Sequence, residues 1–175
     1  MLEYDVFGTI VVNGRIYLAM TQGLWIWDPK TPVQMPVLST IGHTFYGMTR
    51  VGNTLFLANA AAIGGIFSLN LTSQVLEFLP WTMGVQFNDI AVIDGMMYLT
   101  GPEGIWTFDY TASAAPGQIA TTAGLGFRRM IASGTNIYLT TDGPDGIYQF
   151  DTISQARPTQ MANTDQIGFY GIVQI

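Results

Sequence analysis

Cysteine is missing altogether from this 175-residue chain, and charge is scarce: six Lys and Arg, twelve Asp and Glu, 10% of the residues in all. The missing thiol excludes a disulfide framework, a cysteine nucleophile and a thiolate metal site. An average soluble domain is roughly 25% charged, so here apolar and neutral polar groups must cover much of the surface, which favours packing against partners. Histidine occurs once, at His43, with no second histidine for a metal or a relay. The formal net charge of -6 and the lack of any basic run argue against a nucleic-acid phosphate backbone as ligand. The opening Met1-Leu-Glu-Tyr-Asp5 carries two acids and no basic stretch, so no secretory signal is expected there. No charge lies between Arg50 and Glu77, and Leu55 to Leu71 has the length of a membrane span. Gly64-Gly65 divides that run where other copies of a repeat turn, so two strands and a hairpin are expected, and no membrane partner.

The repeat is what the chain has in abundance. Gly23-Leu-Trp-Ile-Trp-Asp28, Gly65-Ile-Phe-Ser-Leu-Asn70, Gly104-Ile-Trp-Thr-Phe-Asp109 and Gly146-Ile-Tyr-Gln-Phe-Asp151 are versions of one motif, with last residues 42, 39 and 42 positions apart. Before each motif comes a strand pattern with an aromatic at Tyr17, Phe56, Tyr98 or Tyr138. Before that lies a turn signal, Asn13-Gly14, Gly52-Asn53, Asp94-Gly95 or Gly134-Thr-Asn136, of the kind that supplies the positive φ of tight hairpins. A further inner segment carries Phe45, Phe87, Phe127 and Phe169 two residues before Gly, Asp or Arg, and Val6-Phe-Gly8 occupies that register in the first copy. The segments after the motif, Val33 to Leu38, Gln74 to Leu79, Gly117 to Ala120 and Pro158 to Met161, vary most and suit an outer edge strand.

Four antiparallel strands per repeat of about 40 residues, with no helical period, predict an all-β fold, a β-propeller. The sequence blades run over 3–40, 41–83, 84–123 and 124–163, in a single domain with a lone fifth inner strand at 167–175. From Tyr4 to Ile175 the blade pattern resembles propeller proteins of the kelch, NHL and quinoprotein-like kind, without the Trp-Asp dipeptide of WD40 repeats or the double glycine of true kelch. The fifth strand leaves three readings open: a piece of a longer propeller chain, subunits that each give an arc to a shared ring, or four closed blades whose tail pairs elsewhere.

The first residues of the inner strands face one end of the central channel in propellers. Here they include Tyr46, Asn88, Asp89, Arg128, Arg129 and Tyr170, with His43 just upstream. Two readings stand for Asp89, Arg128 and Arg129. One is a polar, aromatic-lined mouth that binds a sugar or an anion through guanidinium hydrogen bonds and ring stacking; the other is an ion pair between blades. Trp25 shares its register with Phe67, Trp106 and Tyr148, and Trp27 with Leu69, Phe108 and Phe150, a repetition that marks packing between blades, whereas Trp81 belongs to no series and is expected at the surface. Asp28, Asp109 and Asp151 are expected to cap their own backbone in Asx-turns. Glu103, Asp142 and Asp145 read as solvated turn residues, not as a calcium site.

No catalytic set, no metal site and no cofactor are expected. The leading expectation is a non-enzymatic structural and interaction module that binds other protein subunits, its own copies or components of a large assembly such as a virus particle or phage tail. A lectin-like propeller that binds a glycan is the alternative, and a hydrolase or lyase with a channel-mouth site is the third.

Overall fold

The computed structural model describes residues 5–31, 33–59, 61, 63–141 and 146–164. The first sheet is β1 (Val6–Val12), β2 (Arg15–Met20), β3 (Gly23–Asp28) and β4 (Val33–Pro36). The second is β5 (Gly47–Val51), β6 (Thr54–Ala58), β7 (Ile66–Asn70) and β8 (Leu76–Leu79). The third is β9 (Asp89–Ile93), β10 (Met96–Gly101), β11 (Gly104–Phe108) and β12 (Gly117–Gln118), and the fourth β13 (Arg129–Ser133), β14 (Asn136–Thr140), β15 (Ile147–Asp151) and β16 (Thr159–Gln160). Each sheet is an antiparallel meander in chain order. Together they make the fold an all-β propeller of four blades. The chain packs as two compact units, 1–87 with the first two blades and 88–175 with the last two. The fifth inner strand expected at 167–175, including Tyr170, lies outside the described residues, as do Asp142 and Asp145.

The innermost hairpins turn as their residues dictate. Asn13 and Gly14 (φ 52° and 76°) and Asp94 and Gly95 (φ 49° and 79°) both take positive φ, the type I′ pattern. Gly52 and Gly134 take it alone at the first position, the type II′ pattern. The Asx-turns are present after the third strands: Asp28, Asn70, Asp109 and Asp151 accept through Oδ1 from the backbone N–H two residues on. These bonds hold the three carboxyls below their usual range; backbone N–H donors lead for Asp28 and Asp151, and the Thr111 hydroxyl leads for Asp109.

The middle strands of the second and third blades, β6, β7, β10 and β11, are buried at most positions on both faces, whereas β2, β3, β14 and β15 are half-buried at several. In the first unit Leu24, Phe45, Leu55, Leu57 and Leu69 form a core with Tyr17 and Phe67; in the second, Ile105, Phe127, Ile137, Leu139 and Phe150 do so with Tyr98. Phe45, Phe87 and Phe127 are buried at the start of successive inner segments. At about 1.5–3 kcal/mol for a fully buried Phe, each is a substantial anchor for the connection that carries it.

The outer strands are shorter than their sequence patterns predict. Three of them give way to single 3-10 turns at Leu38–Thr40, Pro80–Thr82 and Ala120–Thr122. A threonine explains the change of course. Thr40, Thr82, Thr122 and Thr164 each donate their hydroxyl to the carbonyl three residues back, at 2.7 Å. The same oxygen accepts from the backbone N–H of Leu24, Ile66, Ile105 or Ile147, at 2.8 to 3.0 Å. One hydroxyl therefore ties the chain leaving the outer strand to the start of the third strand. Thr40→Val keeps the shape and strands the buried Leu24 N–H, while the Val37 C=O keeps only its bond from the Thr40 N–H, so it is expected to cost about 2 kcal/mol. A urea midpoint unchanged from the parent protein would contradict this role.

Candidate functional site

The strongest concentration of polar groups sits where the inner strands of the third and fourth blades meet, inside the second unit. Asp89 opens β9 and Arg129 opens β13, at equivalent blade positions. Asp89 reaches across: its Oδ2 accepts from the backbone N–H of Met130 at 2.9 Å, while Oδ1 accepts from Ile90 at 2.9 Å. Arg129 is buried and donates from Nη1 to the Asn88 carbonyl at 3.2 Å; the Asn88 amide in turn donates from Nδ2 to the Phe127 carbonyl at 2.9 Å. Three bonds thus cross from one inner strand or its lead-in to the next. Burial pushes the Asp89 carboxyl up to about 6, against the opposing pull of the Met130 N–H, the Arg129 charge and the Ile90 N–H.

Sequence reasoning missed two members of this cluster. Thr100 lies directly opposite Asp89 in the β9–β10 ladder, and Thr140 directly opposite Arg129 in β13–β14. Side chains directly opposite share a face of the sheet. Both threonines are almost wholly buried, and neither hydroxyl has a hydrogen-bond partner among the described residues. The signal was available: Met97-Tyr-Leu-Thr100 and Ile137-Tyr-Leu-Thr140 carry a hydroxyl where the first two blades carry Ala19 and Ala58. In the first unit the matching inner positions are Gly8 and Gly47, paired with those alanines. The polar cluster belongs to the second unit alone.

Chemically, a carboxyl that titrates near 6 suits proton transfer at neutral pH. Here both its oxygens are engaged by backbone donors, an arrangement that joins strands and leaves little of the carboxylate for a substrate. Arg128 follows the backbone pattern, its N–H donating to the Thr140 carbonyl at 2.7 Å.

The remaining residues singled out in the sequence belong to the first unit. The His43 ring, half-buried, lies against Phe67 at 4.6 Å and Phe45 at 5.9 Å between centroids, in an aromatic setting. Tyr46 stacks on Phe7 at 4.4 Å, 25° from parallel; an irregularity between Val6 and Gly8 in the β1–β2 register falls at Phe7. Trp81 is exposed, in the 3-10 turn after β8. The equivalent residues in the first and third blades are hydroxyls that bridge to the next blade, Ser39 to the Gln74 carbonyl at 2.9 Å and Thr121 to the Gln155 carbonyl at 2.7 Å. Among the described residues no group of three or more His, Asp or Glu side chains is placed to hold a metal ion.

No protein-family profile matches the sequence, and neither does any curated protein. Solved structures do match the fold. A nidogen/laminin complex aligns over 89% of this chain at 8% identity and a TM-score of 0.71. The hydrazine synthase of Kuenenia stuttgartiensis aligns over 89% at 13% identity with a TM-score of 0.65, and the computationally designed Ika8 protein over 85% at 9% with a TM-score of 0.64. The chain spans 63%, 49% and 46% of those three chains respectively. At such identities the likeness shows the propeller fold and nothing of activity.

Proposed function

We propose that this chain is a non-enzymatic interaction module, a propeller of the kelch, NHL and quinoprotein-like blade type that docks other protein subunits within a larger assembly such as a virus particle or phage tail. The observation that carries this reading is the placement of exposed apolar side chains. Among the described residues twelve large hydrophobic side chains are exposed, and all but Ile153 and Met161 lie in the first unit. The turns that follow its outer strands present Leu38 at 76% exposure, Ile41 at 56%, Trp81 at 47% and Met83 at 61%. Ile63, 63% exposed, lies beside Met83, since its carbonyl accepts from the Gly84 N–H at 3.0 Å. The corresponding turn in the third blade carries Ala120 and Ala123 where the first blade has Leu38 and Ile41.

The fold does not require these side chains to be large, because the alanine-bearing turn makes the same threonine bonds. Exposed aromatic and aliphatic side chains concentrated in one unit mark interaction surfaces, and the lack of charge in the 37–42 and 80–84 turn segments fits an apolar protein face, a second copy of the chain included. The test is the native mass of the purified chain over a tenfold concentration range, with binding of a hydrophobic dye alongside. The expected result is self-association of the parent protein that Leu38→Ser with Met83→Ser weakens by about tenfold, with unfolding unchanged. A parent protein that stays monomeric throughout, and binds the dye no better than the double variant, overturns the reading.

A further inference from the structure

A cleft of about 340 Å³ opens between the first and second blades, inside the first unit and beside their innermost hairpin turns. It is lined by the Asn13-Gly14 turn, Arg15, Tyr17, Asp28, Lys30 and, from the second blade, Asn53. Its volume lies in the range of small-molecule sites. The chain has six cationic side chains against twelve acids, and two of the six line this one cleft. The equivalent positions in the other blades are Thr54, Met96 and Asn136 for Arg15, and Thr72, Thr111 and Ile153 for Lys30. The positive pair is a property of this cleft and not of the repeat.

Arg15 uses only its Nε toward Asp28 Oδ2, at 3.3 Å. Its two terminal nitrogens and the Lys30 ammonium make no hydrogen bond among the described residues. Arg15 is 54% exposed, so its fork is free to turn toward an incoming group. Asp28 is fixed by the Lys30 backbone N–H at 2.9 Å and stays ionised, an acceptor on the wall. Asn53 is held by bonds from its Nδ2 to Thr72 Oγ1 at 3.0 Å and Asn70 Oδ1 at 3.3 Å. Tyr17, only 5% exposed as a residue, lines the cleft beside them. The wall therefore combines two exposed cations, a fixed anionic acceptor and a phenol.

We infer that this cleft binds a small hydroxylated carboxylate of the size of a uronic acid. A planar carboxylate matches the guanidinium fork of Arg15 in two parallel bonds, with Lys30 as a second point charge. Hydroxyls on the same molecule donate to Asp28 and meet the Tyr17 phenol. A neutral sugar lacks the charge that the two cations call for, and inorganic phosphate has no carbon frame to carry hydroxyls away from its charged centre toward Asp28 and Tyr17.

The test is two-dimensional NMR of the full chain titrated separately with glucuronate, glucose and inorganic phosphate. Glucuronate is expected to shift the amides of Gly14, Lys30 and Asn53 saturably, while glucose leaves them in place and phosphate binds at least about tenfold more weakly. Arg15→Gln and Lys30→Gln are each expected to weaken glucuronate about tenfold, and Arg157→Gln, in the other unit, to leave it unchanged. Both cleft variants alter solvent-facing cations, and unchanged amides elsewhere in the spectrum report an intact fold. The inference falls if glucuronate gives no saturable shift, if glucose or phosphate binds as tightly, or if binding survives both substitutions.

Discussion

Gly104→Ala is expected to destabilise the protein by about 4 kcal/mol. Gly104 opens β11 at φ +139°, where an L side chain is strained. A Cβ placed there lies 2.7 Å from the Thr122 carbonyl oxygen and 2.9 Å from Thr122 Oγ1. Backbone strain alone is worth about 1–3 kcal/mol. Relief of the overlap must move Thr122, whose hydroxyl serves the Ile105 N–H at 2.9 Å and the Ile119 carbonyl at 2.7 Å. Loss of those buried bonds adds about 1–3 kcal/mol. Gly124→Ala is the control, since Gly124 also has positive φ, +77°, but nothing within 4 Å of the added carbon. It carries only the backbone term, about 1 kcal/mol. Urea unfolding of both variants separates the two terms. Equal losses at the two positions would show that the approach of Thr122 to Gly104 is not what the glycine serves.

The same glycine shows how far the fold could be read from the sequence. Gly23, Gly65, Gly104 and Gly146 stood out because they open a motif of aromatic and aliphatic residues at constant spacing, and the four blades follow from that period. Their partners Thr40, Thr82, Thr122 and Thr164 recur as regularly. Each lies five residues before a phenylalanine, as in Thr40-Ile-Gly-His-Thr-Phe45, but the segments just upstream differ between copies and hide the register. Without the threonine the outer segments look like longer strands; with it they end early, three of them in 3-10 turns. The polar cluster was legible as composition, because Asp89 and Arg129 occupy matching positions in consecutive copies. Its bonding was not, since nothing in the sequence says that Asp89 accepts from the Met130 backbone or that Arg129 donates to the Asn88 carbonyl. The cleft between the first two blades was invisible for a simpler reason. Its wall draws on residues 12–15, 17, 28, 30, 53, 71 and 72, brought together only when two blades pack.

Asp89 makes stability depend on pH in the direction opposite to most carboxylates. Its folded pKa, about 6, stands above the unfolded value near 3.9, so between those values the folded state holds the proton more firmly. The stabilisation is complete below the unfolded pKa and is lost as pH rises through about 6. Roughly two pH units at 1.36 kcal/mol each give about 3 kcal/mol as the upper size of the effect. Asp28, Asp109 and Asp151 act in the contrary sense, since their carboxyls are held below the usual range and their contribution is lost as pH falls. Urea unfolding at pH 4, 5, 6 and 7 of the parent and of Asp89→Asn separates the opposing trends, because the three other carboxylates are common to both proteins. The asparagine keeps an oxygen to accept from the backbone and never ionises. The stability of the parent relative to the variant is therefore expected to fall by about 2 kcal/mol between pH 4 and pH 7, most steeply around pH 5, between the two pKa values. Parallel curves would mean that Asp89 titrates as an ordinary solvated carboxylate and that the third and fourth blades are joined without a buried charge. A falling difference would show that the protein tolerates an ionised carboxylate at that junction at neutral pH, at a cost to its own stability, for the strand-to-strand bonds the group makes.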